Sequence, residues 1–368
     1  MLKTVFTLDY EIHGNGDGCP YELMVEPTQR LLDQFNHYGG KLTIMADVAE
    51  ILKFKEYKEQ FGRDDYYYDA IAGQLRDAIR CGHDVQLHMH ASYFNARHEK
   101  GRWLQDWSEY NFATLRPERM LQLLAQGKQF LEDLLRPVNS SYRCFVFRAG
   151  NWAMTPSQYV VPALVNSGFA IDTSVFKYGR RSGLVSFDYS GAHSHQFPWR
   201  VCDDDICKWD PRGRLFEFPI YSERRSISDF LSLQRFYRVW QGSFHGLKVK
   251  GGDGVVSRRP PQPPISVNRA SFLRRKHALK ADFNQCTGRQ LIGALERAMA
   301  GCANSTVNLP FVLIGHSKLF TRFNKWALRP FLAYVAQRSN GVGFGTFGEF
   351  DLKALDAKSP SPLRSDYA

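Results

Sequence analysis

The sequence predicts an α/β fold in which seven or eight parallel strands alternate with helices and curve into a distorted (β/α) barrel. Strand-like runs recur between helix-like runs along most of the chain, which is the pattern of parallel strands joined by crossover helices. Of the 368 residues, 43% are hydrophobic, so the chain can bury one barrel-sized core. We therefore expect one domain over residues 1–356, followed by a disordered tail over 357–368.

Short apolar runs are the predicted strands: Leu2–Leu8, Lys41–Met45, Asp84–Leu87, Cys144–Phe147, Phe169–Ile171, Leu215–Ile220, Phe311–Gly315 and Gly343–Phe347. Helices are predicted between them, from Pro27 to Gly39, over Tyr68–Arg80 and Pro117–Leu135, from Pro156, and over Gly288–Met299. Pro27 fits a first helical turn, and Gly39 can adopt the backbone conformation that ends a helix. Ile71, Leu75 and Ala78 recur at helical spacing, which predicts that one face of their helix packs on the sheet.

A long insertion interrupts this alternation before the last strands, and we interpret 176–213 and 222–285 as inserted loops. Residues 259–264 (RPPQPP) are polyproline-like, and 247–280 contains nine basic residues and one acidic residue, Asp253. Such a segment attracts an anionic partner, which here would be a membrane surface or a lipid-linked glycan. The alternative is a solvated loop without a partner. Since no nucleotide-binding or nucleic-acid-binding motif accompanies the basic residues, nucleic acid is not expected as a partner.

The formal charge is +11, and the seven cysteines are scattered without a C-x-x-C pair, which is typical of reduced thiols. No apolar run is long enough to span a bilayer, and no signal-peptide pattern precedes the first strand. We therefore expect a cytoplasmic protein, with peripheral contact at the inner membrane as a further option. The sequence does not indicate an oligomeric state.

Reactive side chains follow directly after the predicted strands: Asp9, Glu11, His88, His90, Arg148, Asp172 and His316. The carboxyl ends of the strands in a parallel barrel meet on one face, so these side chains are expected to converge. Asp9 and Glu11 are two residues apart and point the same way on an extended chain, as do His88 and His90. One carboxylate and two imidazoles form a ligand set for a catalytic Zn²⁺, and a second carboxylate beside it can act as a base.

Five short motifs, taken in order, resemble those of the NodB-like polysaccharide deacetylases, which are carbohydrate esterases of family 4 type. They are Thr7–Glu11 (TLDYE), Gly82–His88 (GHDVQLH), Phe147–Trp152 (FRAGNW), Gly168–Asp172 (GFAID) and Leu313–His316 (LIGH). Each motif is short, but together they span most of the predicted barrel. The chain is most similar to the branch found in bacterial surface-polysaccharide clusters, which make O-antigen or capsule.

The resemblance implies a NodB-type barrel and a metal-dependent hydrolase that removes an N-acetyl group from a sugar. The sugar would belong to a bacterial surface polysaccharide or its lipid-linked precursor. Glu11, His88 and His90 would bind the divalent metal, which is expected to be Zn²⁺, with Co²⁺ or Ni²⁺ as alternatives. Asp9 would be the base that activates water, and Arg148 would keep it ionised by a charge-assisted contact.

The resemblance also implies roles for residues of the later motifs. His316 would protonate the departing amine, and Asp172 would orient or tune that imidazole. Trp152, Asn151 and Tyr10 would contact the glycan, with a backbone N–H near Trp152 helping to stabilise the oxyanion.

The chain departs from the family pattern at the metal site. Ser92 stands where the second metal histidine is usual, so His90 is assigned that role, and Glu11 replaces the usual aspartate. Two alternatives stay open. One is removal of a formyl group or hydrolysis of another small amide on the same fold. The other is a glycan-binding relative without catalysis, which Ser92 favours. His83 is interpreted as structural, and the pair His193 and His195 is not expected to bind a metal.

Overall fold

A curled sheet of mostly parallel strands forms the centre of the structure, a computed structural model that describes residues 1–12, 18–231, 235, 276–302, 305–338 and 341–356. The strands of the described residues are β1 (Leu2–Tyr10), β2 (Leu42–Asp47), β3 (Asp84–Met89), β4 (Arg97–Glu99), β5 (Arg102–Leu104), β6 (Val146–Ala149), β7 (Ile171–Asp172), β8 (Arg180–Arg181), β9 (Phe187–Asp188), β10 (Trp199–Cys202), β11 (Asp205–Trp209), β12 (Phe216–Glu217), β13 (Ser222–Arg225), β14 (His277–Lys280), β15 (Leu309–His316) and β16 (Val342–Phe344). Three pairs of them form separate two-stranded sheets: β4 with β5, β8 with β9, and β13 with β14. The helices are α1 (Glu26–His37), α2 (Val48–Phe61), α3 (Tyr68–Arg80), α4 (Pro117–Leu135), α5 (Ser157–Asn166), α6 (Gly288–Ala300), α7 (Arg322–Gln337) and α8 (Leu352–Asp356).

Parallel strands run side by side in the order β12-β7-β6-β3-β2-β1-β15. The strands β10 and β11 extend the β12 edge in antiparallel pairing, and β16 pairs with β1. The predicted α/β class is therefore confirmed, but the hydrogen-bonded ladder forms a curled half-barrel rather than a complete (β/α) barrel. Among the described residues, two isolated parallel bridges connect later segments with β15: Ile220 with Val312, and Asp282 with Ile314.

Burial explains why the predicted strands and helices form. Every residue of β2 is buried, and β1 is buried at all but one position, as expected for parallel strands that are covered on both faces. On α3, Ile71 and Leu75 have no exposed surface, and burying each such side chain contributes roughly 1.5–3 kcal/mol. Helix α1 has Pro27 in its first turn and is followed by Gly39 at φ +63°, as predicted.

Three helices, α2, α7 and the short α8, and several strands were not predicted. Helix α2 has a highly charged sequence with a weak apolar face; Asp47 caps it by accepting a hydrogen bond from the Ala49 N–H at 3.2 Å. Helix α7 contains Pro330, which argues against a continuous helix when only the sequence is read. The segment 176–213, predicted as a loop, contains β8 to β11, whose shortness and charged residues hide the strand pattern.

The second predicted loop, 222–285, begins and ends in ordered structure, because β13 and β14 pair in antiparallel fashion. Most of the basic segment 247–280 and the tail 357–368 lie outside the described residues.

All seven cysteines are free. In the described part of the chain, none of the helices combines the length and the apolar character that crossing a membrane requires.

His83 has the structural role predicted for it. Its Nδ1 accepts a hydrogen bond from the Leu42 N–H at 3.2 Å, and Nε2 lies 3.1 Å from the Asn36 amide oxygen. Burial, together with the nearby Lys41 charge, lowers the pKa of His83 to about 4. The ring is therefore neutral in the folded protein, and it fixes the start of β2 against the end of α1.

We expect His83 to make folding less favourable in mild acid. An unfolded histidine takes up a proton near pH 6.5, whereas folded His83 does so near pH 4, so its contribution is present above pH 6.5 and declines as the pH falls. Between pH 7 and pH 5 the loss amounts to about 2 kcal/mol. Urea unfolding at both pH values should show a smaller acid loss in His83→Gln than in the wild type. The exposed His37→Gln control should match the wild type.

Candidate active site

A cavity of ≈ 230 Å³ lies at the carboxyl ends of β1, β3 and β15. It is lined by Asp9, Glu11, His88, His90, Ala149, Asn151, Trp152, Lys280, Gln285, His316, Lys318 and Leu319. These residues come from both ends of the chain, because β1 and β15 are neighbours in the sheet and place Asp9 opposite His316 in register. The structure thus brings together the strand-end residues that the sequence predicted to converge, with the exception of Asp172.

Four buried side chains of this region form a group that could hold a metal ion: Glu11, Asp47, His88 and His90. Their potential ligand atoms all lie within 4.8 Å of one another. His88 Nε2 and His90 Nδ1 are each 3.1 Å from Glu11 Oε2, and His90 Nδ1 is 2.7 Å from Asp47 Oδ2. Ligands about 2.0–2.2 Å from a tetrahedral ion are roughly 3.3–3.6 Å apart, so small shifts from the two 3.1 Å distances would fit a zinc-like ion, as do the donor types. The 2.7 Å between His90 and Asp47 is a hydrogen-bond distance.

The orientation of His88 suits it to metal binding. Its Nδ1 donates a hydrogen bond to the Arg148 carbonyl oxygen at 2.9 Å, which leaves Nε2 directed at Glu11. Burial alone would lower the pKa of His88, but the carboxylates of Asp9, Glu11 and Asp47 raise it to about 9. Binding of a cation at Nε2 would therefore release a proton.

Asp47 belongs to the group although the sequence analysis did not propose it. It is the last residue of β2 and lies opposite His88 in the register of β2 and β3. The same strand-end signal that identified Asp9 was present, but the predicted strand ended at Met45, two residues too early. Asp47 also accepts a hydrogen bond from the His90 backbone N–H at 3.3 Å.

His90, rather than Ser92, enters the group. Ser92 is buried in the turn after β3, where its hydroxyl donates to the Gln105 side chain at 2.8 Å. Gly150 is the first residue after β6, and a Cβ there would collide with the Met89 carbonyl oxygen and the His90 ring. Glycine at this position therefore allows the backbone after β6 to approach His90. Of the residues that the structure describes, none outside the four-residue group, including His193 and His195, is arranged for a metal.

Lys318 is a second site residue that the sequence analysis missed. Its ammonium group lies 2.9 Å from Glu11 Oε1 and donates to the Ile12 carbonyl oxygen at 3.2 Å. Burial alone would raise the pKa of Glu11, but Lys318, His90 and His88 hold it well below its usual value. Glu11 therefore directs one oxygen at a lysine and the other at the histidines, which leaves a single oxygen for an ion.

Asp9 forms a buried ion pair with Arg148. The guanidinium donates to Asp9 Oδ1 at 2.7 Å, and it also donates to Thr7 Oγ1 at 2.8 Å and to the Thr173 carbonyl oxygen at 2.9 Å. Burial would raise the pKa of Asp9, but Arg148, His88 and the nearby His316 lower it below its usual value. Asp9 is therefore ionised at neutral pH, and its Oδ2 lies 3.5 Å from His316 Nε2.

The surroundings of His316 differ from the prediction. Burial lowers the pKa of His316 below its usual value, and the opposing charges come from Asp9, Glu11 and Asp282. Its backbone N–H donates to Asn284 Oδ1 at 2.6 Å, whereas Nδ1 is buried without a hydrogen-bond partner among the described residues.

Asp172 does not take the place predicted for it beside His316. Its carboxylate accepts hydrogen bonds from the Ser174 N–H at 3.1 Å and the Ser174 hydroxyl at 2.8 Å. Burial raises the pKa of Asp172, and the neighbouring Glu217 is bonded to it. The two-residue strand β7 pairs with β12, which places Asp172 beside Glu217. The third carboxylate whose charge opposes the lowering of the His316 pKa, after Asp9 and Glu11, is that of Asp282.

Tyr10 is also placed differently from the prediction of a substrate contact. It is the last residue of β1 and lies between Asp9 and Glu11 in the sequence, and successive residues of a strand point to opposite faces. Its side chain is fully buried, and the hydroxyl donates to Gln74 Oε1 at 2.9 Å on α3. Because it packs on the helical layer, Tyr10 does not line the cavity.

Asn151 and Trp152, which the third motif predicts to contact the glycan, line the cavity. Both have positive φ angles, 58° and 56°, so the backbone turns sharply after β6. The Trp152 ring lies 6.3 Å from the His316 ring. Asn151 Oδ1 accepts hydrogen bonds from the Tyr110 hydroxyl at 3.2 Å and from Arg181 at 3.0 Å, which fixes the turn.

Comparisons with known proteins give structural matches alone. No protein-family model and no curated protein sequence matches the chain. A 4-α-glucanotransferase from Thermococcus litoralis has a TM-score of 0.51 and 12% identity, covering 98% of this chain and 41% of that chain. A branching enzyme from Thermococcus kodakaraensis, in complex with glucose, has a TM-score of 0.51 and 13% identity over 98% of this chain and 72% of that chain.

A crystal structure described as a polysaccharide deacetylase, from Mycobacterium smegmatis, also matches. Its TM-score is 0.46 with 14% identity, over 98% of this chain and 92% of that chain. Polysaccharide deacetylases are thus among the structural neighbours of the chain. The two matches at a TM-score of 0.51 show that the chain shares the fold of the matched part of each protein.

Proposed function

We propose that this chain is a metal-dependent hydrolase that removes an N-acetyl group from a sugar of a bacterial surface polysaccharide or of its lipid-linked precursor. The observation that carries the proposal is the meeting of two groups in one cavity. A metal-type donor set that includes Glu11 and His88 lies beside an ionised carboxylate, Asp9, and an imidazole, His316. The five motifs that resemble those of the NodB-like deacetylases occur in the same order, with Glu11 in place of the usual aspartate and His90 in the role of the usual second histidine.

A divalent ion would be held by Glu11 Oε2, His88 Nε2 and the His90 ring, with Asp47 as a further ligand or as the acceptor that orients His90. We propose Zn²⁺, with Co²⁺ or Ni²⁺ as alternatives. When bound, such an ion polarises the acyl carbonyl and makes water a better nucleophile at neutral pH.

Asp9 would accept the proton of the attacking water at Oδ2, since Oδ1 is bonded to Arg148. Arg148 keeps Asp9 ionised before the reaction. Burial lowers the pKa of His316, so its ring is neutral at neutral pH, and Nε2, 3.5 Å from Oδ2, would carry the lone pair in the tautomer with the proton on Nδ1. It can therefore take this proton and deliver it to the departing amine, which is a poor leaving group without it. Asn151 and Trp152 would bind the acylated sugar.

Transfer of a glucan chain, the activity in the names of two structural neighbours, is a less suitable function for this site. Cleavage of a glycosidic bond uses two carboxyl groups that flank the bond. Asp9 and Glu11 are the two carboxylates that line the cavity, but the pKa of each is held below its usual value, so neither is protonated as the general acid of such a pair has to be. Asp172 and Glu217 form a second pair, but both are fully buried, and neither lines the cavity. The residues that do line it favour hydrolysis of an amide.

The proposal is tested by measuring acetate release from N-acetylated amino-sugar oligosaccharides with the zinc-loaded protein. We expect release that depends on added metal. A wild type that releases acetate no faster than Asp9→Asn would contradict hydrolysis of these substrates. Formate release from the N-formyl analogues distinguishes a deformylase.

We expect Asp47→Asn to bind Zn²⁺ about 10- to 100-fold more weakly than the wild type, because removal of a ligand or of its carboxylate partner weakens a metal site by this factor. Competition with a coloured chelator measures the affinity without any substrate. The exposed Asp33→Asn variant is the matched control and should bind like the wild type. Equal affinity of Asp47→Asn and the wild type would exclude Asp47 from the site.

A further inference from the structure

Lys318 contacts one of the proposed metal ligands directly, yet the proposed mechanism gives it no role. Its Nζ lies 2.9 Å from Glu11 Oε1, whereas the ring nitrogens His88 Nε2 and His90 Nδ1 each lie 3.1 Å from Glu11 Oε2. The two oxygens of one carboxylate therefore face different partners. A cation lies beside one oxygen, and the nitrogen donors for an ion lie beside the other.

The surrounding turn holds Lys318 in this position. Nζ also donates to the Ile12 carbonyl oxygen at 3.2 Å, and only 21% of the side chain is exposed. The preceding residue, Ser317, accepts a hydrogen bond from the Glu11 backbone N–H at 3.4 Å through its hydroxyl. Ser317 and Lys318 belong to the turn that follows β15, so this turn fixes both the backbone and the carboxylate of Glu11.

The position of Lys318 affects how Glu11 can bind an ion. A carboxylate binds a metal through one oxygen or through both. The Lys318 ammonium repels a divalent ion, and its hydrogen bond draws electron density from the oxygen that accepts it. An ion beside His88 and Glu11 Oε2 is therefore kept away from Oε1. Glu11 then supplies one ligand atom instead of two.

The number of ligand atoms determines which metals fit the site. With Glu11 bound through one oxygen, the group of Glu11, Asp47, His88 and His90 offers four ligand atoms, one from each residue. Zn²⁺ is satisfied by four ligands, and Co²⁺ also accepts this number. Mn²⁺ and Mg²⁺ prefer six ligands, most of them oxygens. A second oxygen from Glu11 would make the site more suitable for these two ions.

We propose that Lys318 is a positioning residue that restricts Glu11 to a single oxygen, so that the site selects Zn²⁺ or Co²⁺ over Mn²⁺ and Mg²⁺. This inference rests on the metal site of the proposed function and specifies which metals that site takes. Because Lys318 acts through Glu11, its removal changes the selectivity among metals and not only their affinity.

The ratio of the dissociation constants for Mn²⁺ and Zn²⁺ tests this selection, and competition with a coloured chelator measures both constants without substrate. We expect the ratio to fall about tenfold or more in Lys318→Met, which is the size of effect that partners of metal ligands have. Loss of the lysine charge strengthens the binding of both ions, so this general effect cancels in the ratio. Lys318→Arg keeps the charge and should stay close to the wild-type ratio.

The spectrum of bound Co²⁺ gives a second readout, because four-coordinate Co²⁺ absorbs visible light much more strongly than six-coordinate Co²⁺. The wild type should show the strong absorption, and Lys318→Met should show a weaker one. Lys177→Met is the matched control, because Lys177 does not line the cavity, and it should match the wild type in both measurements. The wild-type spectrum is decisive without any variant, since the weak absorption of six-coordinate Co²⁺ would overturn the inference.

Failure of this inference and failure of the deacetylase proposal give different results. If the zinc-loaded wild type releases acetate but Lys318→Met keeps the wild-type ratio and the wild-type cobalt spectrum, the inference alone is wrong. If the ratio and the spectrum change as expected but the wild type releases no acetate, the inference holds and deacetylation of these substrates is wrong. A wild type that binds neither Zn²⁺ nor Co²⁺ contradicts both.

Discussion

The Asp9→Asn variant is expected to release acetate about 10²- to 10⁴-fold more slowly than the wild type, because it removes the proposed general base. The amide oxygen of asparagine can still accept the hydrogen bond from Arg148, which is 2.7 Å from Asp9 Oδ1. Asparagine cannot take a proton from water, however. The loss should therefore appear in kcat, while the zinc content stays at the wild-type level.

Initial rates of acetate release at saturating zinc measure this effect. The exposed Asp33→Asn variant controls for the loss of a negative charge elsewhere and should keep the wild-type rate. If Asp9→Asn retained a third or more of the wild-type kcat, Asp9 would not be the base. Zinc analysis of the same samples separates loss of the base from loss of the ion.

The Arg148→Met variant is expected to lose about 3–5 kcal/mol of unfolding free energy at pH 7, the cost of breaking a buried ion pair. Arg148 is fully buried, and it makes hydrogen bonds to Asp9, Thr7 and Thr173. Methionine fills part of the space but leaves the Asp9 carboxylate buried without this cation. Urea unfolding measures the change, and Arg148→Lys, which keeps the charge, should lose less.

The pH dependence of this variant has a defined sign. In the wild type the pKa of Asp9 is below its usual value, so ionised Asp9 stabilises the fold above pH 3.8 and this contribution is lost in acid. Without Arg148, burial dominates and raises that pKa, so the penalty of Arg148→Met should be smaller at pH 4 than at pH 7. Arg180→Met, which removes an exposed pair with Asp188, should cost at most about 1 kcal/mol. Equal losses in the two variants would contradict a structural role for the buried pair.

The sequence predicted the centre of the site because parallel strands deliver their last residues to one place. Asp9, His88 and His316 follow three apolar runs that became β1, β3 and β15, and the structure brings them together. Asp47 obeys the same rule and was missed because β2 is longer than predicted. The sequence predicts that such strands exist, but packing against neighbouring strands determines at which residue each strand ends.

Other residues of the site could not be predicted from strand ends. Tyr10 was assigned to the substrate because it belongs to a motif, although the alternation of side chains along β1 turns it into the core. Asp172 ends a strand of only two residues, whose pairing partner, β12, decides where the carboxylate points. Lys280 was counted as part of a basic loop, because its pairing with Ser222 across β13 and β14 depends on tertiary structure.

The parallel core of the fold was predicted well because its strands are continuous apolar runs. The antiparallel edge formed by β10 and β11 was not predicted, because these strands carry charged residues and lie at one edge of the sheet. The charged helix α2 was missed for a similar reason: its stability comes from the Asp47 cap and from buried residues such as Ile51 and Phe54 rather than from a regular apolar face.

The most direct test of the central claim is an anomalous diffraction map at the zinc edge from crystals grown with Zn²⁺. The proposed site predicts one strong peak about 2.0–2.2 Å from Glu11 Oε2, His88 Nε2 and the His90 ring, next to Asp9. Absence of a peak at this position at saturating zinc, or a peak only elsewhere, such as at His193 and His195, would contradict it.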